Sequence, residues 1–369
     1  MNILIAPDSF KGSLTAVQAA GIIREALLAD DPAVRCIMLP QADGGEGSID
    51  AVWRAGGGEL ITEQLPDLVG EPRPVQWLLR DDGSALIEAA TAIGWQLPEG
   101  VAREPRRFST ASFGLLLRAA AERAVRIDAA IGGSATSDCG MGFAEALGAR
   151  FRTATGADAD IPSRLAGLRR IEYSMPDLPP VRALADVRNP LLGPDGAVRV
   201  YGPQKGIPSE DLAEWDAAFE HCAAVVRRDV RDVDPAVEGM GAAGGLGFAL
   251  SAFAGAGLRN GADALRALTG FDEHLAGADL VLTGEGRIDA QTLQGKVVQG
   301  IAKIAAGRGV PVAAFCGAVH GDVSVLAAAL GVQSILSLSV PGEDTALVMT
   351  EAEHRLYTAV RNFMRTLRG

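Results

Sequence analysis

The chain has 369 residues, of which 46 are acidic and 34 are Lys or Arg, and its formal net charge is −12. This length exceeds one ordinary hydrophobic core, so two domains are expected. The charge and an isoelectric point near 4.9 argue against a nucleic acid or an anionic membrane as partner, because no basic patch compensates.

The cysteines and the N-terminal segment indicate the cellular setting. The four cysteines stand far apart without a Cys-x-x-Cys pair, and the four histidines form no ligand pair with them, so no zinc site is expected. The N-terminal segment lacks a basic stretch followed by a long apolar core, which is the pattern of a signal peptide. We therefore expect a cytoplasmic protein with reduced thiols.

The first predicted elements are a strand, a loop and a helix. Ile3 to Ala6 form an apolar run that is typical of a buried strand. Thr15 and Gln18 have the spacing of a capping box at the start of a helix. The loop SFKGS between them places Lys11 where a parallel strand ends and a helix begins, a position at which anions bind. The alternative interpretation is a capped connector with a solvated lysine.

The two ends of the chain share a pattern of strands alternating with helices. Further strands are predicted at Cys36 to Leu39, Leu280 to Gly284, Val310 to Gly317 and Ser334 to Ser339, with helices from about Ser48, Val297, Val323 and Thr350. Between them, an antiparallel pair is predicted around Val75 to Leu79 and Ala85 to Glu88. The alternation at the ends favours parallel α/β layers.

The predicted fold class is therefore α/β, with a domain inserted into another. Residues 1–70 and 278–369 are expected to form one discontinuous, Rossmann-like domain with a doubly wound parallel sheet. Residues 71–277 are expected to form the inserted α/β domain, and the active cleft is expected between the two.

Six motifs of small residues, glycines and one or two charges stand out. They are APDSFKGS, ADGGEGS, IGGSATSDCGMG, DVRNP with YGPQKG, GAAGGLG and TGEGRIDAQTLQGK. Glycine-rich loops let backbone N–H groups approach phosphate or carboxylate oxygens, and carboxylates among them suggest a magnesium ion or a general base. For any single motif a structural turn is the alternative, and GAAGGLG lacks the preceding strand of a dinucleotide-binding loop.

Taken together, these motifs resemble the bacterial type-1 glycerate kinase family. The matching stretches keep the family's order across nearly the whole chain: IAPDSFKGSLTA, QADGGEGS, IGGSATSDCGMG, DVRNPLLG, YGPQKG, GAAGGLG and LVLTGEGRIDAQT. The resemblance implies two α/β domains, one inserted in the other. It also implies ATP-dependent phosphorylation of D-glycerate to 2-phosphoglycerate, for which ATP and Mg²⁺ are expected.

Phosphoryl transfer requires charge neutralisation, a metal ion, and a base or orienting group for the attacking hydroxyl. Lys11 and Lys205 are expected to neutralise phosphate oxygens or the glycerate carboxylate. Arg287 is expected to bind that carboxylate with two hydrogen bonds. Asp186 and Asp289 are the leading candidates for base and metal ligand, in either order. The binding candidates are Asp8, Ser9, Ser13, Asp43, Gly44, Gly45, Glu46, Gly132, Gly133, Ser134, Thr136, Asp138, Asn189, Glu285 and Arg287.

For some of these candidates we predict a more specific role in phosphate binding, base catalysis or metal binding. The backbone amides of Gly132, Gly133 and Ser134 are expected to cradle phosphate. Four acids, Asp8, Asp43, Glu46 and Glu285, are further candidates for the base or the metal ligand.

Several alternatives stay open at this point. The substrate could be another small hydroxy acid or a sugar acid, because pocket size and one hydroxyl distinguish them, and glycerate could be phosphorylated on its 3-hydroxyl. A dehydrogenase that binds a dinucleotide at GAAGGLG and a non-catalytic sensor of glycerate-like metabolites belong to other classes. The expected partners are small molecules, and the sequence leaves a homodimer open and does not determine regulation.

Overall fold

The computed structural model describes residues 1–95, 104–158, 165–290 and 292–368. Gln291, which lies within the motif TGEGRIDAQTLQGK, is outside these residues. Contacts between Cα atoms divide the chain into two compact units. The first unit comprises Met1–Asp43, Asp50–Gly57 and Gly261–Gly369, and the second comprises Gly44–Ile49 and Gly58–Asn260. The domain boundaries at residues 70 and 278 stay a prediction.

Thirteen strands lie in the described residues. They are β1 (Asn2–Ile5), β2 (Arg35–Met38), β3 (Glu59–Pro66), β4 (Pro72–Leu79), β5 (Ser84–Glu88), β6 (Arg126–Ala130), β7 (Arg150–Arg152), β8 (Arg170–Glu172), β9 (Val181–Ala185), β10 (Gly257–Asn260), β11 (Leu280–Ile288), β12 (Val312–Val319) and β13 (Ser334–Ser337).

Fourteen α-helices lie in the same parts of the chain. They are α1 (Ala16–Asp30), α2 (Ser48–Gly56), α3 (Ala89–Ile93), α4 (Ala111–Ala121), α5 (Met141–Ala146), α6 (Ala197–Tyr201), α7 (Leu212–Asp229), α8 (Ala242–Phe253), α9 (Gly261–Leu268), α10 (Phe271–Leu275), α11 (Val297–Gly307), α12 (Val323–Leu330), α13 (Thr345–Thr350) and α14 (Ala352–Arg368). None of the helices that the structure describes has the length and apolar composition needed to cross a membrane.

The first unit contains a five-stranded parallel sheet in the order β13-β12-β11-β1-β2. Successive side chains of a strand point to opposite faces of a sheet, so Ile3 and Ile5 pack on one face with α1 and α14. Leu4 packs on the other face with residues of α11, such as Val298 and Ile301. Both faces are covered by helices, which explains why β1 is apolar from Ile3 to Ile5 and confirms the predicted doubly wound sheet.

The chain order places a topological switch point between β1 and β11. The crossover from β1 leads to β2 on one side of the sheet, and the later strands β11, β12 and β13 lie on the other side. In open α/β sheets the loops that leave the carboxyl ends of two such strands diverge, and ligands bind in the crevice between them. Two of the glycine-rich motifs, APDSFKGS and TGEGRIDAQTLQGK, lie at this position.

The second unit is a separate α/β layer structure with its own core. Its six-stranded sheet has the order β10-β9-β6-β5-β4-β3. The strands β5, β6, β9 and β10 pair in parallel, whereas β3 with β4 and β4 with β5 are antiparallel. The predicted antiparallel pair is thus present as β4 and β5. A second, two-stranded sheet pairs β7 with β8.

Candidate active site

The loop after β1 is folded so that it presents one lysine at its tip. Phe10 is 1% exposed, and its backbone exchanges hydrogen bonds of 2.8 and 3.0 Å with that of Leu14. Gly12 adopts a φ of +85°, a left-handed conformation that favours glycine. The capping box of α1 is present, because the Thr15 hydroxyl accepts from the Gln18 backbone and the Gln18 side chain accepts from the Thr15 backbone. The buried phenylalanine and the capped helix therefore anchor the loop on both sides of Lys11.

Lys11 lies beside Asp43 of the motif ADGGEGS. Its Nζ is 3.5 Å from Oδ2 of Asp43, and the Lys11 side chain is 77% exposed whereas that of Asp43 is 10% exposed. Because the Lys11 side chain is largely in water, this ion pair contributes little to stability. The pair is thus better suited to ligand binding than to folding.

Three carboxylates are buried near one another: Asp8 follows β1, Asp43 follows β2, and Glu285 lies in the second half of β11. Asp8 and Glu285 are each 6% exposed, and Asp43 is 7% exposed. Burial raises the pKa of Asp8 well above its usual range, and the negative charge of Asp43 adds to this increase. Burial also raises the pKa of Glu285. Like charges held out of water favour a bound cation or a shared proton at this position.

Glycines allow the strands and the lysine loop to approach each other closely. A Cβ on Gly284 would lie 2.3 Å from the carbonyl oxygen of Phe315, and one on Gly317 would lie 2.5 Å from that of Gly286. A Cβ on Gly286 would lie 3.1 Å from the backbone nitrogen of Lys11. The glycines of the sequence TGEG therefore have a packing function that places Glu285 against the loop after β1.

The segment that follows β11 holds the Glu285 carboxylate and the Arg287 guanidinium. Thr292 is fully buried, and its hydroxyl donates to Glu285 Oε1 at 2.6 Å and accepts from the backbone N–H of Asp289 at 3.2 Å. Arg287 Nε is 2.9 Å from Asp289 Oδ2. Asp289 thereby orients a guanidinium that is 54% exposed.

A cavity of about 710 Å³ in the first unit opens on these groups. The predicted site residues that line it are Asp8, Ser9, Lys11, Ser13, Asp43, Glu285 and Arg287. Sequence reasoning missed Lys296 and His320, which also line the cavity. Lys296 could have been found from the sequence, because it ends the motif TGEGRIDAQTLQGK directly before α11. His320 follows β12 and belongs to none of the motifs, so nothing in the sequence indicated it.

The motif IGGSATSDCGMG forms the loop between β6 and α5 in the second unit. Asp138 is fully buried, and its two carboxylate oxygens accept hydrogen bonds from the Thr110 backbone and hydroxyl and from the N–H groups of Gly140 and Gly142, at 2.8 to 3.1 Å. Burial nevertheless raises the pKa of Asp138. Within the second unit this carboxylate holds the loop to the start of α4 and α5.

Lys205 is buried and binds the same loop through hydrogen bonds. It is 4% exposed, and its ammonium group donates to Ser134 Oγ at 3.1 Å and to the carbonyl oxygen of Thr136 at 2.7 Å. Burial lowers the pKa of Lys205 to about 7. The structure therefore brings together three predicted site residues of the second unit, Lys205, Ser134 and Thr136.

The motif GAAGGLG supports the loop between β6 and α5. A Cβ on Gly244 would lie 2.1 Å from the Thr136 carbonyl oxygen, and one on Gly245 would lie 2.7 Å from Cα of Cys139. The backbone N–H of Cys139 donates to the Gly244 carbonyl at 3.1 Å. No strand precedes the motif among residues 231–241, so these glycines serve close backbone packing instead of forming the strand–loop–helix that binds dinucleotides.

A buried glutamate that sequence reasoning missed holds the segment Gly44–Ile49. Glu88 is 1% exposed, and its carboxylate oxygens accept from the N–H groups of Gly47 and Ile49 at 3.2 and 3.1 Å. Burial raises the pKa of Glu88 to about 7. Its position at the end of β5 was the one available signal.

The segment Gly44–Ile49 also contacts the loop after β6. The Gly132 amide donates to the Gly44 carbonyl at 2.8 Å, and a Cβ on Gly132 would lie 2.7 Å from Cα of Gly45. A Cβ on Gly133 would lie 3.8 Å from the Glu46 backbone nitrogen. Two predicted glycine loops therefore meet within the second unit, and the Gly132 amide is already engaged there.

Asp186 and Asn189 follow β9 in the second unit. Asp186 lines an open pocket of about 280 Å³ together with Arg188, Glu238 and Arg259. The Asn189 side-chain amide donates to the Asp195 carbonyl at 2.7 Å, and its oxygen accepts from the Tyr201 hydroxyl at 2.6 Å. The two residues therefore differ in setting, because Asn189 braces a loop whereas Asp186 faces a pocket.

Comparisons with known proteins agree on one family. A model of the glycerate kinase family matches residues 3–368. A protein of Escherichia coli (strain K12) named glycerate 2-kinase is 38% identical over 339 residues, which cover 88% of this chain and 87% of that protein. A glycerate kinase of Bacillus subtilis (strain 168) is 37% identical over 349 residues, 93% of this chain and 91% of that protein.

A solved structure is similar over the whole length. The crystal structure of a protein provisionally named glycerate kinase 2, from Salmonella typhimurium LT2, has a TM-score of 0.82 and 36% sequence identity. The alignment covers 100% of this chain and 98% of that chain.

The buried ammonium of Lys205 predicts a pH dependence of stability. Its pKa is about 7 in the folded protein and about 10.4 in an unfolded chain, so between these values the unfolded state binds one more proton. The free energy of unfolding therefore rises with pH in this window, by up to about 1.4 kcal/mol per pH unit, and the slope vanishes below about pH 7. Lys205→Met should lose this slope.

Urea unfolding of both proteins at about pH 7 and pH 9 measures the change in the free energy of unfolding. This free energy should rise by about 2 kcal/mol more in wild type than in Lys205→Met. Lys303→Met, which removes an exposed lysine of α11, serves as the control and should keep the wild-type slope. Parallel curves for wild type and Lys205→Met would show that the lysine keeps an ordinary pKa.

Proposed function

The chain belongs to the glycerate kinase family, and we propose that it transfers the terminal phosphoryl group of ATP to the 2-hydroxyl of D-glycerate. The observation that carries the proposal is the cluster of cations and carboxylates at the switch point of the first unit, where Lys11 lies beside Asp43. In this reaction the substrate hydroxyl oxygen bonds to the γ-phosphorus, the bond to the bridging oxygen breaks, and the hydroxyl proton passes to a base. ADP is the leaving group.

Lys11, Lys296 and Arg287 supply the positive charge that this transfer requires. All three line the same cavity. A phosphoryl group in transfer spreads negative charge over its oxygens, and positioned cations stabilise that charge. We assign Lys11 to the phosphate oxygens, because it is exposed at a loop tip, and Arg287 to the glycerate carboxylate, because a guanidinium can bind a carboxylate with two parallel hydrogen bonds.

The donor set of the first unit fits a magnesium ion that arrives with the nucleotide. The carboxylates of Asp8, Asp43 and Glu285 are hard oxygen donors buried near one another. A divalent cation would offset both the burial and the repulsion from Asp43 that raise the pKa of Asp8. Among the residues described, no group of three or more His, Cys, Asp or Glu side chains is arranged to hold a metal ion alone. Mg²⁺ is commonly held by one or two carboxylates together with substrate phosphates, and there it neutralises phosphate charge.

Coupled release of ADP in the presence of Mg-ATP and D-glycerate tests the proposed reaction, with phosphorus NMR of the product. We expect ADP together with the signal of 2-phosphoglycerate. A 3-phosphoglycerate signal would contradict the assigned hydroxyl and keep the kinase. Turnover of lactate, tartronate or gluconate in preference to glycerate would shift the substrate to another hydroxy acid or sugar acid.

Lys11→Ala should lose catalysis without losing the fold. Removing a cation that stabilises transition-state charge costs about 3 kcal/mol, so kcat/KM should fall by about 100-fold. The melting temperature should stay within about 2 °C of wild type, because the Lys11 side chain lies largely in water and its ion pair contributes little to stability. Lys303→Ala should retain wild-type turnover. Full activity of Lys11→Ala would return Lys11 to the role of a solvated lysine.

Asp186 and Asp289 remain proposed, in either order, as the base and as a metal ligand in addition to the carboxylates of the first unit, and their asparagine variants distinguish the two roles. Loss of the base should lower kcat at every Mg²⁺ concentration, by about 100-fold or more. Loss of a metal ligand should raise the Mg²⁺ concentration needed for half-maximal activity, and excess Mg²⁺ should restore turnover. Wild-type activity and Mg²⁺ dependence of either variant would remove that residue from both roles.

A further inference from the structure

We propose that the cavity of the first unit seats the nucleoside base of the phosphoryl donor against an apolar wall formed by Leu338, Val340, Val348 and Met349. This inference rests on the proposed function and specifies where the larger of its two substrates binds.

The size of the cavity exceeds what glycerate requires. Its volume is about 710 Å³, within the range of roughly 300 to 1,000 Å³ that is typical of pockets for drug-sized ligands. Glycerate is several times smaller than a nucleoside triphosphate. A site that holds glycerate alone would leave most of this space filled with water, so the volume favours the nucleotide.

The cavity has two chemically different parts. The part at the ends of β1 and β11 carries the cations Lys11, Arg287 and Lys296 among carboxylates. The part formed by the segment after β13 and by α13 has no cation among its described lining residues and is lined mainly by apolar side chains, among which Leu338 and Val348 are each 7% exposed. A ligand with a polyanionic end and a planar, weakly polar end matches both parts, and a nucleoside phosphate has this chemistry.

Several apolar side chains of the cavity are exposed to water. Val340 is 66% exposed, Met349 is 37% exposed, and Val323, which also lines the cavity, is 44% exposed. Exposed apolar groups that cluster at a concave surface are typical of binding sites, because a ligand that covers them gains hydrophobic free energy. A nucleoside base packed against Val340 and Met349 would cover part of this apolar surface.

Arg355 of α14 holds the apolar wall in place. Its guanidinium donates to the Leu338 carbonyl at 2.9 Å and to Glu343 Oε2 at 2.9 Å. The Glu343 carboxylate in turn accepts from the backbone N–H of Val340 at 3.1 Å. The segment 338–343 is therefore preorganised, which reduces the conformational entropy lost when a ligand binds.

The apolar wall adjoins the loop that carries the proposed phosphate-binding lysine. A Cβ on Gly12 would lie 2.4 Å from Cε of Met349, so the methionine packs directly on this glycine. Lys11 is the next residue. The base and the phosphates of one nucleotide would thus contact neighbouring parts of the same cavity.

Titration of the full-length protein with ADP and with pyrophosphate, each with Mg²⁺, tests the base site by calorimetry. Val340→Asn removes apolar contact while changing only an exposed side chain. We expect the Kd of ADP to rise about five- to tenfold, as for partial loss of one buried valine, and the Kd of pyrophosphate to stay unchanged. The KM for ATP should rise likewise, whereas the KM for glycerate should not change.

Val325→Asn is the matched control, because Val325 of α12 is 64% exposed and lies outside the cavity. It should bind ADP as wild type does. Equal ADP affinity of Val340→Asn and wild type would overturn the base site while leaving the kinase reaction intact. Failure of the wild-type protein to release ADP in the coupled assay would instead overturn the proposed function.

Photolabelling with 8-azido-ATP and peptide mapping gives a second readout that needs no variant. The label should be found on peptides from residues 317–352 and should be displaced by ADP. Specific labelling within residues 58–260 would place the base in the second unit and overturn the inference.

Discussion

The parallel pairing of β1 with β11 is the constraint on which the candidate site of the first unit depends. The two strands are adjacent in the sheet although about 275 residues separate them in the chain, as in the pair Leu4 and Val281. Their register brings the loop with Lys11 next to the motif that contains Glu285, because the Asp8 amide donates to the Gly284 carbonyl at 2.8 Å. Without this pairing, neither the carboxylate cluster nor the cavity could form.

The glycines of the six motifs have different functions in the structure. Gly12 supplies a left-handed backbone conformation in the lysine loop, whereas Gly284 and Gly286 let a neighbouring backbone approach. Gly244 combines both, because its φ is +66° and a Cβ would meet the Thr136 carbonyl. Glycine-rich composition therefore marks close backbone approach in both units, and the ligand-binding function depends on which charged groups the glycines bring together.

The buried ionisable groups of the two units differ in their hydrogen-bond partners and in the charges near them. In the second unit, Asp138 and Glu88 accept several backbone hydrogen bonds, and Lys205 donates to two oxygen atoms of one loop. Such satisfied groups define the shape of loops. In the first unit, by contrast, the negative charge of Asp43 adds to the effect of burial on the pKa of Asp8, and such a pair of acids favours a bound cation or a shared proton.

The amino-acid sequence by itself determined the helices, the strands and the family, because short stretches of sequence encode the secondary structure and the motifs. Alternation of apolar runs with helical patterns predicted the parallel sheet at both chain ends, and the capping box at Thr15 predicted the start of α1. Tertiary structure alone decided which motifs meet and what each carboxylate does. Lys205 and Glu88 show why: their pKa values depend on burial by residues far away in the chain, which local patterns do not encode. The apolar wall likewise exists only after β13 pairs with β12 and Met349 of α13 packs on Gly12 in the loop after β1.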